Sequence, residues 1–158
     1  MSVETVRSYL APFGLSQRVT EFESSSATVE LAAAAIGTAP QRIAKSLTFY
    51  AKDGSCIMLV TAGDQKIDNA KFKAFFSCKA KMMTPEDALA ATGHAVGGVC
   101  PFALPRGTAV YLDLSLQRFE TVFPAAGSPN SAAEMTCEEL FTAARAMAWV
   151  DICKPRET

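Results

Sequence analysis

Two adjacent stretches of the chain predict a long β-hairpin, and this hairpin restricts the fold more than any other feature. Ile43–Tyr50 alternates between apolar and polar side chains, and residues 52–55 (Lys-Asp-Gly-Ser) are typical of a turn. Residues 56–61 are almost continuously apolar, as expected of a central strand that is buried on both faces. The hairpin therefore belongs in the middle of a larger sheet.

Capping residues mark the starts of the predicted helices. Ser2, Thr28, Asp68, Thr84 and Thr136 each stand before a stretch with helical character, and their side-chain oxygens can accept the free N–H groups of a first turn. The last helix is expected to turn four side chains inward, namely Leu140, Phe141, Ala144 and Met147. Further strands are predicted at residues 19–22, 79–83, 108–112, 121–123 and 131–135.

Strands and helices alternate too irregularly for a doubly wound parallel sheet. The sequence therefore predicts a mixed α/β fold, with residues 1–158 forming a single domain, which suits a chain of this length. Hydrophobic residues make up 49% and charged residues 20% of the chain, the usual balance of a globular protein. Because no apolar run is long enough to span a bilayer and no signal peptide is recognisable, we expect a cytoplasmic location without membrane contact.

Charge and cysteine usage exclude several classes of function. The net charge is −1, so any contact with nucleic acid has to be local. The cysteines are odd in number, lack a CxxC spacing and are accompanied by one histidine, which argues against a disulfide framework or a zinc site. We expect no metal and no nucleotide cofactor, because phosphate-binding loops are also missing.

Residues 93–105 carry three glycines and two prolines, too many for the interior of a regular element. Within this stretch, glycines at 97 and 98 would let backbone N–H groups approach a ligand closely. Backbone donors of this kind can stabilise a negative charge on a bound oxygen atom. From the residues alone, a surface turn without chemistry is an equally good explanation.

The order and spacing of several short motifs resemble the YbaK and prolyl-tRNA synthetase-associated editing domains. The matching segments are residues 28–33 with Ile36 and Gly37, residues 42–47, residues 59–64 with Lys66 and Asp68, Gly93 and His94, residues 97–102, residues 111–113, and residues 125–127 before the helix that opens at Thr136. The resemblance implies a barrel-like mixed sheet with flanking helices. It also implies hydrolysis of the ester between an amino acid and the terminal adenosine of tRNA.

A freestanding member of this family would act in trans as an aminoacyl-tRNA hydrolase. The resemblance suggests tRNA-Pro carrying a small amino acid such as alanine or cysteine, with the acceptor end of the aminoacyl-tRNA as partner and transient association with a synthetase. The amino acid stays open, because Ala125 and Pro129 depart from the residues of the cysteine-specific and alanine-specific branches.

The resemblance also implies site residues. Lys45 would contact the phosphate of the terminal adenosine, and a G-x-x-x-P loop would supply backbone donors, while a ribose hydroxyl of the substrate would assist the attacking water. The catalytic set is Lys45, Gly97, Gly98, Val99, Cys100 and Pro101. The substrate-binding set is Phe22, Ser46, His94, Asp113, Gly127 and Ser128.

Alternative interpretations accompany these residues. Cys100 and His94 could form a cysteine hydrolase of small esters, although an orienting third group is not evident. The chain could also be a tRNA-binding or regulatory module without catalysis. Asp113 could simply end a strand, and residues 127–130 could be a turn. Five lysines within sixteen residues form either a tRNA-facing patch or a solvated face, namely Lys66, Lys71, Lys73, Lys79 and Lys81.

Overall fold

The computed structural model describes residues 2–23 and 28–156. The described helices are α1 (Val3–Leu10), α2 (Val29–Ile36), α3 (Asn69–Phe76), α4 (Pro85–Thr92) and α5 (Cys137–Ala143). The described strands are β1 (Val19–Glu21), β2 (Ile43–Tyr50), β3 (Cys56–Ala62), β4 (Gln65–Ile67), β5 (Thr108–Asp113), β6 (Thr121–Pro124), β7 (Ser131–Ala133), β8 (Met135–Thr136), β9 (Ala148–Val150) and β10 (Cys153–Pro155). Within these residues no helix has the length and apolar character needed to cross a membrane.

The main sheet has six strands in the order β8-β6-β2-β3-β5-β9. The predicted hairpin lies at its centre, with β2 and β3 antiparallel. The pairs β2–β6, β3–β5 and β5–β9 are parallel, and β6–β8 is antiparallel. The sheet curls into a half-barrel with flanking helices, so the predicted mixed, barrel-like α/β fold is confirmed.

Strand β3 is buried along its whole length, as its apolar sequence predicted. Met58 and Val60 pack into a large core that also contains residues of α1 and α5. Ile57 and Leu59 point to the opposite face, where they meet Phe72 of α3. The alternation of side chains along a strand therefore places β3 between two layers of the core.

All five predicted caps are present. The side-chain oxygens of Ser2, Thr28, Asp68, Thr84 and Thr136 each accept a backbone N–H from the first turn of the helix that follows. Thr136 forms a reciprocal capping box with Glu139. Each such cap typically stabilises a fold by about 1 kcal/mol.

Three local predictions were wrong. The strand predicted at residues 79–83 is reduced to one bridge between Met82 and Phe49. The strand predicted at residues 131–135 divides at Glu134, because β7 pairs with β1 whereas β8 pairs with β6. Met147 is 65% exposed rather than inward, because α5 ends at Ala143 and the chain turns at Arg145, whose φ is 52°.

Candidate active site

A cavity of about 410 Å³ lies against β2, within the size range of small-ligand sites. Its walls come from α2, from β2, from the segment that leads into α4, from the glycine-rich loop and from the stretch between β6 and β7. The lining residues are Thr28, Val29, Ala32, Ile36, Ile43, Ala44, Lys45, Ser46, Leu47, Thr48, Met82, Met83, Pro85, Ala88, Val96, Gly97, Val99, Phe123, Ala125, Ser131 and Ala132. Most of this wall is apolar, so its few polar groups are the candidates for binding a polar ligand.

One edge of β2 is interrupted beside the cavity. Along this edge, β2 pairs with β6 only at Ile43 and Ala44, and it meets Met82 only at Phe49. On its other side β2 pairs continuously with β3. The residues between the two short contacts therefore have a backbone edge without a strand partner, and they line the cavity.

Ser46 presents its backbone polar groups at this open edge. At this edge, the N–H of Tyr50 donates to the carbonyl oxygen of Lys81 at 3.0 Å. The carbonyl oxygen of Thr48 accepts the N–H of Met83 at 2.9 Å. Since N–H and C=O groups alternate in direction along a strand, Ser46 points its own pair toward the same edge. Its hydroxyl is buried and has no hydrogen-bond partner among the described residues. Ser46 can therefore offer a ligand both donors and acceptors.

Lys45 contributes a cation to the cavity wall. Its Nζ donates a hydrogen bond to the carbonyl oxygen of Gln65 in β4, which holds the half-buried ammonium in place. Burial lowers the pKa of Lys45, and the nearby Arg156 guanidinium lowers it further. An ammonium group has three donors, so two remain for a ligand.

The glycine-rich loop places backbone donors in the same wall. Gly97 has a φ of +90°, a conformation that a side chain would strain. The N–H of Gly98 is used internally, because it donates to the carbonyl oxygen of Ala95 at 3.0 Å. The N–H groups of Gly97 and Val99 have no partner within the residues that the structure describes. These two groups, rather than that of Gly98, are available to a bound oxygen atom.

Gly98 instead packs against a neighbouring turn. A Cβ at Gly98 would lie 3.0 Å from the carbonyl oxygen of Gly127 and 3.1 Å from the Cα of Ser128. All three residues line a second cavity of about 440 Å³, and Val96 lies between the two cavities because it lines both. The predicted Gly127 and Ser128 are therefore neighbours of the main cavity without lining it.

Two predicted substrate-binding residues have other roles. Asp113 is 3% exposed, and its carboxylate accepts the N–H groups of Ser115 at 2.9 Å and Ile152 at 3.0 Å. These bonds tie the end of β5 to the approach of β10. The N–H of Phe22 donates to the carbonyl oxygen of Asn130, and the side-chain amide of Asn130 donates to the carbonyl oxygen of Phe22. Neither residue lines a described cavity, so the structure does not bring them to the candidate site.

Cys100 and His94 are close together but inaccessible. The Sγ of Cys100 lies 3.5 Å from the Nε2 of His94, and both side chains are buried, as is Pro101. Nε2 lies 2.8 Å from the carbonyl oxygen of Phe102. Because a carbonyl oxygen only accepts, Nε2 carries the proton and cannot take one from the thiol. Burial raises the pKa of Cys100 to about 12, which counts against a thiolate nucleophile.

Several cavity residues were missed at the sequence level. Val29 and Ala32 of α2 line the wall, as do Met82 and Met83. The only signal in the sequence was the run of small residues in α2, which suits a close approach to another surface. Among the described residues, no cluster of three or more His, Cys, Asp or Glu side chains is arranged to hold a metal ion.

Comparison with known proteins agrees with this architecture. Residues 23–143 match the family model of the aminoacyl-tRNA editing domain. The chain is 50% identical over 157 residues to the uncharacterized protein YwhH of Bacillus subtilis (strain 168), which covers 99% of this chain and 100% of YwhH. A proline–tRNA ligase of Pelobacter propionicus is 34% identical over 86 residues, which represent 54% of this chain and 15% of the ligase.

A solved structure supports the same assignment. The crystal structure of a candidate trans-editing enzyme for prolyl-tRNA synthetase superposes with a TM-score of 0.87 and 28% identity, covering 96% of each chain. The family match spans most of the sequence and the superposition spans nearly all of it. The chain therefore belongs to the YbaK-type family of aminoacyl-tRNA editing domains.

Proposed function

We propose that this protein is an aminoacyl-tRNA deacylase that acts in trans and hydrolyses the ester of a mischarged tRNA. The observation that supports it is that Lys45, Gly97 and Val99 line one cavity, and that the N–H groups of Gly97 and Val99 have no partner among the described residues. A cation and two backbone donors in a mostly apolar site suit a substrate with a phosphate next to a reacting carbonyl. The family membership supports tRNA as the carrier of that ester.

The reaction needs an electrophilic carbonyl and a positioned water molecule. Water attacks the carbonyl carbon, the bond from that carbon to the ribose oxygen breaks, and a proton passes to the departing ribose oxygen. The N–H groups of Gly97 and Val99 stabilise the oxyanion as it forms. One such preorganised donor typically contributes about 10²- to 10³-fold in rate.

The cavity wall lacks an obvious protein base. None of the lining side chains that the structure describes is a carboxylate or an imidazole. The vicinal hydroxyl of the terminal ribose can orient the water and relay the proton, so the substrate itself supplies this part of the chemistry. Lys45 then has the role of binding the phosphate that precedes the terminal adenosine, which suits a compact cation.

The wall also favours a small, uncharged amino acid. The cavity holds about 410 Å³, and its wall is mostly apolar, with Ala32, Ala44, Ala125, Met82 and Met83 among the lining residues. No described lining carboxylate could pair with a cationic side chain, so a cationic amino acid would be desolvated without compensation. We propose alanine or cysteine attached to tRNA-Pro as the substrate.

Deacylation of a defined panel tests this proposal. Transfer RNA-Pro is charged with alanine, cysteine, serine, threonine or proline, and other tRNAs carrying the same amino acids serve as controls. We expect release of alanine or cysteine from tRNA-Pro, retention of proline, and loss of release in Lys45→Ala. If the wild-type protein binds these tRNAs but deacylates none of them, the chain is a binding module and the proposed enzyme is refuted.

A further inference from the structure

Two lysines face each other on a small ribbon next to the cavity. Strands β4 and β10 are antiparallel, with Lys66 directly opposite Lys154. The flanking pair, Ile67 and Cys153, packs into the core. Since side chains alternate across a strand, both lysines project from the other face of the ribbon, where Lys154 is exposed and Lys66 half-buried.

This arrangement is unfavourable for the isolated protein. Like charges directly opposite in an antiparallel pair repel each other, and in the described part of the chain no carboxylate lies within 4.0 Å of either ammonium. The nearby carboxylate of Asp68 already accepts the N–H groups of the α3 N-terminus. By contrast, Lys71 is neutralised by Asp151 at 3.0 Å. Neither ammonium of the ribbon is therefore in a direct ion pair, and Lys154 is attracted only at longer range by the Asp68 carboxylate.

The ribbon is joined directly to the candidate active site. The carbonyl oxygen of Gln65, which precedes Lys66, accepts the hydrogen bond from Lys45. On the other strand, Arg156 follows β10, and its guanidinium donates to the carbonyl oxygen of Gly63 at 3.2 Å. The ribbon that carries the two lysines is therefore in direct contact with Lys45 at the cavity wall, while Arg156 is paired with Glu30 at 3.8 Å.

We propose that Lys66 and Lys154 bind the phosphodiester backbone of the tRNA acceptor arm, next to the terminal nucleotide that the cavity holds. This inference rests on the proposed function and adds the surface that docks the rest of the substrate. A polyanion relieves the repulsion between the two lysines by placing phosphates between them. The net charge of −1 provides no general attraction for RNA, so affinity depends on local clusters of this kind.

The ribbon differs from the basic patch that the sequence suggested. Of the five lysines between residues 66 and 81, Lys71 is ion-paired and Lys81 lies over the ring of Tyr50 at 5.5 Å. Only Lys66 belongs to the ribbon. Its partner Lys154 is 88 positions away in the sequence, so charge spacing along the chain could not identify the pair.

Binding of uncharged tRNA-Pro over a range of salt concentrations tests the inference without relying on deacylation. We expect the double variant Lys66→Glu/Lys154→Glu to raise Kd by about tenfold or more and to reduce the slope of log Kd against log salt by about 1.5, as for two lost phosphate contacts. The control is Lys52→Glu/Arg106→Glu, which changes net charge equally at exposed positions away from the ribbon and should change Kd less than about twofold.

A single charge reversal separates binding from folding. Lys66→Glu places a carboxylate opposite Lys154, so the melting temperature should rise while tRNA affinity falls. If Lys66 had only a structural role, the melting temperature and the tRNA affinity would change in the same direction. If the two double variants weaken binding equally, or if neither does, the inference is wrong even when the wild type deacylates tRNA. Ribbon-dependent binding by a wild type without deacylase activity would support the inference and refute only the proposed enzyme.

Discussion

The ammonium of Lys45 is bound to the carbonyl oxygen of Gln65, so the cation at the cavity wall is held by a strand outside the main sheet. This bond limits the directions in which the other two donors of Lys45 can point. A preoriented cation loses little side-chain entropy when a phosphate binds. The ribbon of β4 and β10 therefore orients the Lys45 ammonium, which is proposed to bind a phosphate, as well as supporting the fold.

Replacement of Lys45 tests this role. Lys45→Ala should lower kcat/KM for deacylation by about 100-fold, because a hydrogen bond to a charged group contributes about 1.5–3 kcal/mol. The unfolding free energy should fall by no more than about 1 kcal/mol, since the site is only half-buried. Single-turnover deacylation and urea unfolding measure the two effects, with Lys52→Ala as the control at an exposed turn. Full activity of Lys45→Ala would show that Lys45 takes no part in substrate binding or catalysis.

The backbone of Gly97 can be tested against a glycine with a similar φ. Gly97 has a φ of +90° and Gly54 in the hairpin turn has a φ of +86°, so alanine should cost each variant about 1 kcal/mol of stability. At Gly97 the added Cβ would also lie 3.3 Å from the Pro129 ring, and the loop would shift. We expect deacylation to fall by about 10²-fold in Gly97→Ala.

Gly54→Ala serves as the matched control, because its Cβ would meet nothing within 4 Å. Its deacylation rate should remain at the wild-type level despite the similar loss of stability. Equal rates in the two variants would show that the loop backbone takes no part in the chemistry. Thermal unfolding of both proteins verifies that the strain is comparable.

Features that depend on neighbouring residues were predictable from the sequence. Each helix cap bonds to N–H groups two or three positions away, and the central hairpin closes across a short turn. Strands β4, β9 and β10 were missed for the opposite reason. Each has three residues, too few for a periodic signal, and pairing with a distant segment stabilises them.

The candidate site was predictable only in part. Lys45, Ser46, Gly97 and Val99 were identified through family motifs, and all four line the cavity. The motif could not reveal that Gly98 uses its N–H internally, because that depends on how the loop folds. The proximity of Cys100 to His94 followed from spacing, whereas their burial depends on packing against residues elsewhere in the chain.

The thiol of Cys100 should be dispensable. Burial raises its pKa to about 12, so it stays protonated in the neutral range, and Cys100→Ser should retain deacylation within about fivefold of wild type. Cys78→Ser is the control, because Cys78 is only partly buried. Site-resolved alkylation of the native protein should modify Cys78 before Cys100. Complete inactivation of Cys100→Ser, with the fold retained, would restore the cysteine hydrolase hypothesis.

Asp113 should affect stability more than catalysis. Asp113→Ala leaves the N–H groups of Ser115 and Ile152 without their acceptor, and each unsatisfied buried donor costs about 1–3 kcal/mol. We expect a loss of about 2–4 kcal/mol in urea unfolding. At a temperature where the variant is folded, kcat for deacylation should match the wild type. A large fall in kcat without a stability change would instead assign Asp113 to the substrate.

His94 should make stability depend on pH. Burial lowers the pKa of His94 in the folded protein below its ordinary value of 6.5. At a pH between the lowered pKa and 6.5, the imidazole is therefore protonated in the unfolded chain and neutral in the folded protein. The contribution of His94 to stability is therefore fully present above about pH 6.5 and falls with acidification, by up to about 1.4 kcal/mol per pH unit.

His94→Gln can still donate to the carbonyl oxygen of Phe102 but does not titrate. Between pH 6.5 and about 5, above the usual carboxylate range, the unfolding free energy of the wild type should decline while that of the variant stays level. Parallel curves for the two proteins would show that a group other than His94 carries the dependence.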